Sequence, residues 1–240
     1  MIEIDVSAEI AEKYELQLGV VVATNVNNTG DIPEELLEEG ISTAKKIRME
    51  NGSNEALLTR KEIAIWREIY KGFKTKASKY NPTVEALMKR LIKGHELPAI
   101  SKAVNAYFIP ELNYLIPMGG YDLSKIRGKI TLRTSDGDER FVGLDGAESF
   151  TYSDEVIYAE DDKVLTRRWN FRDAQFSAID QNTNQLILIS ENPLDLYNES
   201  MANMIEETAN NLQKYCQATT LTFQLSKEDI KNGQITIQAS

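Results

Sequence analysis

The hydrophobic period of this chain changes once along its length, and that change limits the folds open to it. From Pro33 to Ile109 apolar residues recur every three or four positions, the spacing of helices packed on one side. From Lys129 onward they recur mostly every second residue, the spacing of half-buried strands, with one late helix interrupting. Helices gathered in one part of a chain and strands in another predict an α+β class, with helices packed on a largely antiparallel sheet. No internal repeat or low-complexity linker breaks the pattern, so residues 1–240 are read as a single domain.

Two strands precede the helices. Ile2, Ile4 and Val6 alternate with polar residues, and Leu16 to Ala23 is a continuous valine-rich run. A turn-rich loop, Asn25 to Asp31, leads to a helix carrying Leu36, Leu37, Ile41, Ala44 and Ile47. Asp31 is expected to cap that helix and Pro33 to sit in its first turn. Further helices are expected at Thr59 to Phe73, Pro82 to Lys93 and Ile100 to Ile109. In the second half, Lys129 to Arg133 and Phe141 to Leu144 flank Asp136-Gly137-Asp138, a hairpin signal. Val156 to Tyr158 and Val164-Leu165 flank an acidic turn at Glu160 to Asp162. Leu186 to Ile189 is a strand, Tyr197 to Tyr215 an amphipathic helix, and Leu221 to Leu225 and Ile235 to Ile237 are late strands.

Charge and cysteine usage narrow the function classes. The net charge is -10, which gives no general attraction for nucleic acid, and no DNA partner is expected. The single cysteine, Cys216, cannot form an intramolecular disulfide and fits a reducing compartment. The N-terminus does not read as a signal peptide, and the longest apolar run is too short to span a membrane. A cytoplasmic protein without membrane contact is expected. One histidine and one cysteine cannot build an ordinary zinc site, so neither metal nor cofactor is expected. His95 reads as an exposed residue at a helix exit, and Cys216 as half-buried packing. Asn51-Gly52-Ser53 and Asn198-Glu199-Ser200 match glycosylation acceptors but carry no meaning in a cytoplasmic chain.

Two stretches carry chemistry. In Arg167-Arg168-Trp169-Asn170-Phe171-Arg172-Asp173, three guanidiniums, an indole, an amide and a carboxylate fall within one short run. Arginine forks grip phosphate or carboxylate and stack on flat rings. Strand alternation places Trp169 and Phe171 on one face and Arg168, Asn170 and Arg172 on the other. An edge strand pairing with an acidic surface would use the same pattern, but so many arginines in a negative chain favour a ligand wall. In Pro117-Met118-Gly119-Gly120-Tyr121-Asp122, the two glycines make either a tight connection before a helix-like Leu123 to Ile126, or a close approach to a ligand.

The order of motifs resembles a known family. Trp66-Arg67 with Tyr70 and Phe73 comes first. Lys79-Tyr80 with Pro82 and Glu85-Ala86-Leu87 follows, then Lys93-Gly94 with Leu97-Pro98. Gly119-Gly120-Tyr121-Asp122-Leu123 and the arginine-rich run complete the series. Over roughly residues 60–195 this is similar to the free-standing B3/4 domain proteins. Those proteins resemble the tRNA-editing module of the phenylalanyl-tRNA synthetase β subunit. The resemblance implies a B3/4-like α+β fold and a hydrolase that cleaves the ester between a wrong amino acid and tRNA, the expected partner. It also places Gly119 where the synthetase module carries a pocket histidine, and Ile189 where that module carries a glutamate reading the tyrosine hydroxyl. A pocket with isoleucine there is expected not to select tyrosine.

On that reading the Gly119 and Gly120 N–H groups stabilise an oxyanion, and Asn170 or Asp173 orients water or holds the substrate ammonium. Tyr121, Arg167, Arg168, Trp169, Arg172 and Ile189 contact substrate. Arg168 and Arg172 are assigned to the terminal phosphate or ribose. A continuous basic strip from Arg168 past Lys125 and Arg127 would favour tRNA, and a closed pocket ringed by acids would favour a small molecule. The alternatives are a non-catalytic module that binds an amino acid, a nucleotide or the acceptor end, and an adaptor using the acidic helix face at Glu34 to Glu39.

Overall fold

The computed structural model describes residues 1–197, 199–233 and 235–238. The chain opens with β1 (Ile2–Val6), α1 (Ala8–Lys13) and β2 (Gln17–Thr24). Five helices follow: α2 (Glu34–Asn51), α3 (Asn54–Thr59), α4 (Lys61–Gly72), α5 (Thr83–Ile92) and α6 (Lys102–Tyr114). Then come β3 (Met118–Asp122), β4 (Ile130–Thr134), β5 (Arg140–Val142), β6 (Glu148–Phe150), β7 (Val156–Glu160), β8 (Lys163–Arg167), β9 (Arg172–Asp173) and β10 (Leu186–Asn192). The chain ends with α7 (Glu199–Cys216), β11 (Thr219–Leu225), α8 (Lys227–Lys231) and β12 (Ile235–Ile237). The α+β expectation holds.

Two large sheets hold ten of these strands, and β5 and β6 form a separate pair. One runs β12-β1-β4-β7-β8-β9, with only β1 and β4 parallel. The other runs β11-β2-β10-β3 and is antiparallel throughout, with β3 at its edge. α7 lies on one face of the second sheet. Gly19 in β2 makes that approach possible: a Cβ there would stand 2.7 Å from Ser190 Oγ and 2.9 Å from Ile205 Cγ2. The opposite face meets the first sheet, where the Tyr121 and Thr166 hydroxyls are 2.7 Å apart and the Tyr158 hydroxyl donates to Glu191 at 2.7 Å.

Several sequence expectations are corrected. Pro33 itself is the N-cap of α2, and Asp31 lies outside it. The expected Thr59 to Phe73 helix is α4, which starts at Lys61 because Arg60 is extended, and Thr59 instead closes the separate short helix α3. The expected β4–β5 hairpin does not form. β4 pairs with β7, and β5 leaves the sheet to pair with β6. Leu123 to Lys125 is a turn rather than a helix. α6 runs through Pro110 to Tyr114. A proline there leaves the carbonyl four residues back without its helical donor, and the Asn211 side chain on α7 supplies one to Ala106 at 3.0 Å. Cys216 is fully buried, not half-buried. Asn198, at the expected start of the late helix and in one glycosylation match, lies outside the described residues.

Candidate functional site

The arginine-rich run is a strained turn, not a continuous strand. Arg168 and Trp169 have φ of 50° and 67°, two consecutive left-handed residues with large side chains. Each such residue costs about 1–2 kcal/mol, so its surroundings must hold it. The Trp169 N–H donates to Val156 O at 2.7 Å, and its buried indole sits edge-on to Trp66 and Tyr14 at 5.3 and 5.0 Å. Asn170 is held from both sides: the Tyr70 hydroxyl donates to Oδ1 at 2.8 Å, and the Thr83 N–H donates to its carbonyl at 3.1 Å. The predicted two-face alternation fails because the backbone turns at these two residues.

Arg167 and Arg168 serve the turn and stand outside the cavity lining. Arg167 makes a two-pronged pair with Glu155, at 2.8 and 2.7 Å, with side chains only 5% and 1% exposed. Arg168 lies 3.8 Å over the Tyr80 ring. The basic strip that would favour tRNA is not formed, since Lys125 is engaged by Asp180 at 2.6 Å and Asp122 at 3.4 Å and Arg168 is buried. Of the two outcomes, the acid-lined cavity is the one that favours a small molecule.

What the turn does is aim Asn170 and Asp173 into a cavity of about 220 Å³ between the two sheets. Of the residues singled out in the sequence, Gly119, Tyr121, Trp169, Asn170, Arg172, Asp173 and Ile189 meet around it. Gly120 faces the other way, towards Leu188 and Ile179. Both glycines belong to strand β3, not to a turn. The Met118 N–H points outward to Glu111 at 3.4 Å, and the Leu123 N–H donates to Gln185 O at 3.0 Å. By antiparallel alternation, the Gly119 N–H enters the ladder with β10 and only the Gly120 N–H faces the free edge. The two amides therefore cannot act together as oxyanion donors.

Glu191 was not legible in the sequence. It lies two residues beyond Ile189 on β10, so it points to the same side and into the same cavity. Burial pushes its carboxyl up to about 8, with Asp173 adding to the effect and the Tyr158 hydroxyl opposing it. Burial likewise lifts Asp173 to about 6, against the hydrogen bond that Thr166 donates at 2.6 Å. Glu111, behind Met118, is raised too, first by burial and then by Asp173 and Glu191. Asn170 faces Glu191 across the cavity and helps hold its carboxyl down, while Trp169 Nε1 is buried without a protein partner, and all three residues line the cavity. The two walls together present both donors and acceptors.

Arg172 stands exposed at the rim, 3.4 Å from Asp145. Leu144, next to Asp145 in the β5–β6 connection, reaches over the cavity. A second space of about 270 Å³ shares Thr83, Met118, Leu144 and Asp173 with the first and continues along Tyr107 and Phe108 of α6. Among the described residues no cluster of histidine, cysteine and carboxylates is able to hold a metal. No helix among them is long and apolar enough to cross a membrane.

Fold and site together define an α+β protein with a carboxylate-lined cavity between two sheets, framed by a strained turn. Residues 65–217 match the B3/4 domain family, and the chain belongs to it. The phenylalanine–tRNA ligase β subunit of Fusobacterium nucleatum subsp. nucleatum is 30% identical over 78 residues, covering 32% of this chain and 10% of that protein. The corresponding subunit of Shewanella oneidensis is 32% identical over 72 residues, covering 30% of this chain and 9% of that protein. The matched segments thus span about a tenth of these curated relatives. An N-terminal fragment of the phenylalanyl-tRNA synthetase β subunit from Pyrococcus horikoshii aligns with TM-score 0.48 at 9% identity, over 92% of this chain and 53% of that one.

Proposed function

We propose that the protein is a tRNA-associated hydrolase acting on the ester of a mischarged aminoacyl-tRNA, with the amino acid seated in the cavity beneath Gly119. The observation that carries this reading is the pair of carboxyls with raised pKa, Asp173 and Glu191, facing one cavity beside Asn170 and the unpartnered Trp169 indole N–H. A cavity of about 220 Å³ is smaller than the roughly 300–1,000 Å³ of sites for drug-sized ligands, which suits an amino acid rather than a nucleotide. Asp173, poised near 6, holds the substrate ammonium or takes a proton from attacking water. The ester lies at Asp173, where the two spaces meet. The free Gly120 N–H is the one backbone donor left for an oxyanion.

Glu191 changes the expectation about specificity. Its acid is largely protonated at neutral pH, so its carboxyl can donate a hydrogen bond as well as accept one. A polar amino-acid side chain therefore has a partner that Ile189 alone would not provide. A binding module without chemistry is favoured by two features: Gly119 stands where the resemblance implies a histidine, and the net charge of -10 offers no broad basic surface for tRNA. Incubation with a panel of mischarged tRNAs, scoring release of each amino acid, decides between them. Release that is lost in Asp173→Asn supports the hydrolase; saturable binding of an amino acid without release from any tRNA replaces it with the module.

A further inference from the structure

Cations are concentrated at one place on the chain, the end of α4 and the loop after it. Residues 67–79 hold Arg67, Lys71, Lys74, Lys76 and Lys79 against a single carboxylate, Glu68, in a chain of net charge -10. The end of α4 and the loop after it enclose a groove of about 340 Å³, lined by Arg67, Lys71, Lys74 and Lys76 and by the chain at Thr75 to Ser78. The loop is anchored: Phe73, Thr75 and Ala77 are buried, while Lys74 and Lys76 between them stand in solvent and line the groove, and exposed Lys79 follows just beyond it. Arg67 is tied to buried Glu85 at 2.7 Å, Lys71 to Glu68 at 2.5 Å and Lys74 to Asp154 at 2.7 Å. The last two pairs are solvent-exposed, and such pairs exchange readily for phosphate.

Tyr80 and Phe171 stand between the groove and the cavity. Tyr80, one residue past Lys79, packs edge-on against Phe171 at 5.3 Å, and Phe171 and Thr83 both line the cavity. Exposed Tyr152 stands close by, sharing the Arg168 guanidinium with Tyr80 at 5.4 and 3.8 Å. Lysines at a groove with aromatic rings beside them form the pattern that tracks a single-stranded backbone and stacks its bases.

We propose that this groove holds the phosphodiester backbone of a single-stranded RNA end and directs that end towards the cavity. The identity of the polyanion rests on the acceptor-end reading above; the existence of an anion groove rests on the loop alone. The test is fluorescence anisotropy of a labelled short single-stranded RNA, titrated at several salt concentrations against the whole chain and against Lys74→Ala/Lys76→Ala/Lys79→Ala. All three lysines are exposed, and circular dichroism confirms that the variant folds. Affinity is expected to fall at least tenfold in the variant, and the slope of log affinity against log salt to shrink by about 2, the loss expected for three phosphate contacts on a single strand. Equal affinity and slope in the two proteins overturns the proposal, as does wild-type binding to heparin as tight as to RNA. If RNA binding depends on the lysines but no mischarged tRNA is cleaved, the groove stands and the hydrolase reading falls. If wild type and variant cleave and bind alike, the groove falls and the hydrolase reading stands.

Discussion

Gly119 and Ile189 are cross-strand partners, facing each other in the β3–β10 register and projecting into one cavity. Seventy positions apart in sequence, they form one patch of wall. The missing side chain at Gly119 provides the space, Ile189 makes the adjoining surface apolar, and Glu191 sets a protonated acid beside them.

That pair yields a contrast between adjacent glycines. A Cβ at Gly119 meets nothing within 4 Å, whereas one at Gly120 falls 2.5 Å from Leu188 Cδ2 and 2.9 Å from Ile179 Cδ1. Gly119→Val is expected to leave the melting temperature unchanged or raise it, since valine suits a strand, while abolishing ligand binding. Gly120→Ala is expected to cost about 1–3 kcal/mol through overpacking. Thermal unfolding of both variants checks this; equal destabilisation would refute the assignment of faces.

Asp173 predicts a pH dependence of ligand binding. Its carboxyl ionises near 6, so affinity for a cationic ammonium is expected to rise as pH increases through that value. Calorimetric titration of the bound amino acid over about one unit either side measures it. Asp173→Asn is expected to bind weakly and without that dependence; a variant that kept the same pH profile would assign the titration to another group.

Glu191 predicts the opposite trend for stability. Its folded pKa is about 8 against an ordinary 4.5, so between those values the folded chain holds a proton that the unfolded chain has released. Stability is full below the ordinary value and is lost as pH rises through about 8. The slope from one group is at most about 1.4 kcal/mol per pH unit. Glu191→Gln removes this contribution and is expected to flatten the melting temperature across the window. Denaturant unfolding at a series of pH values makes the comparison, and an unchanged slope would exclude Glu191 as its source.

The buried pair beneath the turn gives a third kind of test. Removing Arg167 leaves Glu155 buried and unpaired, so Arg167→Met is expected to cost about 3–5 kcal/mol. The double variant Arg167→Met/Glu155→Gln is expected to recover part of that loss. Strict additivity in the double-mutant cycle would show that the two side chains act independently.

The sequence revealed the fold class and most helices, because amphipathic periods survive whatever packs on them. It revealed the run around Trp169 as unusual but not its shape. Alternation assumes extended backbone, and the two left-handed residues are fixed only by tertiary contacts with Trp66, Tyr14 and Tyr70. Glu191 was hidden for a related reason. Ser190, Glu191 and Asn192 look like the polar end of a strand, yet all three are buried within β10. Their polarity serves the cavity, the α7 face and the turn after it, none of which leaves a local signature.

The cavity's two walls belong to different sheets, and this separates two kinds of change. Asn170 and Asp173 come from the turn after β8, held by buried contacts that tolerate little alteration. Gly119, Ile189 and Glu191 come from β3 and β10, where a side chain can be exchanged without disturbing that turn. Substitutions on the strand pair can therefore reshape the cavity while leaving Asp173 in place.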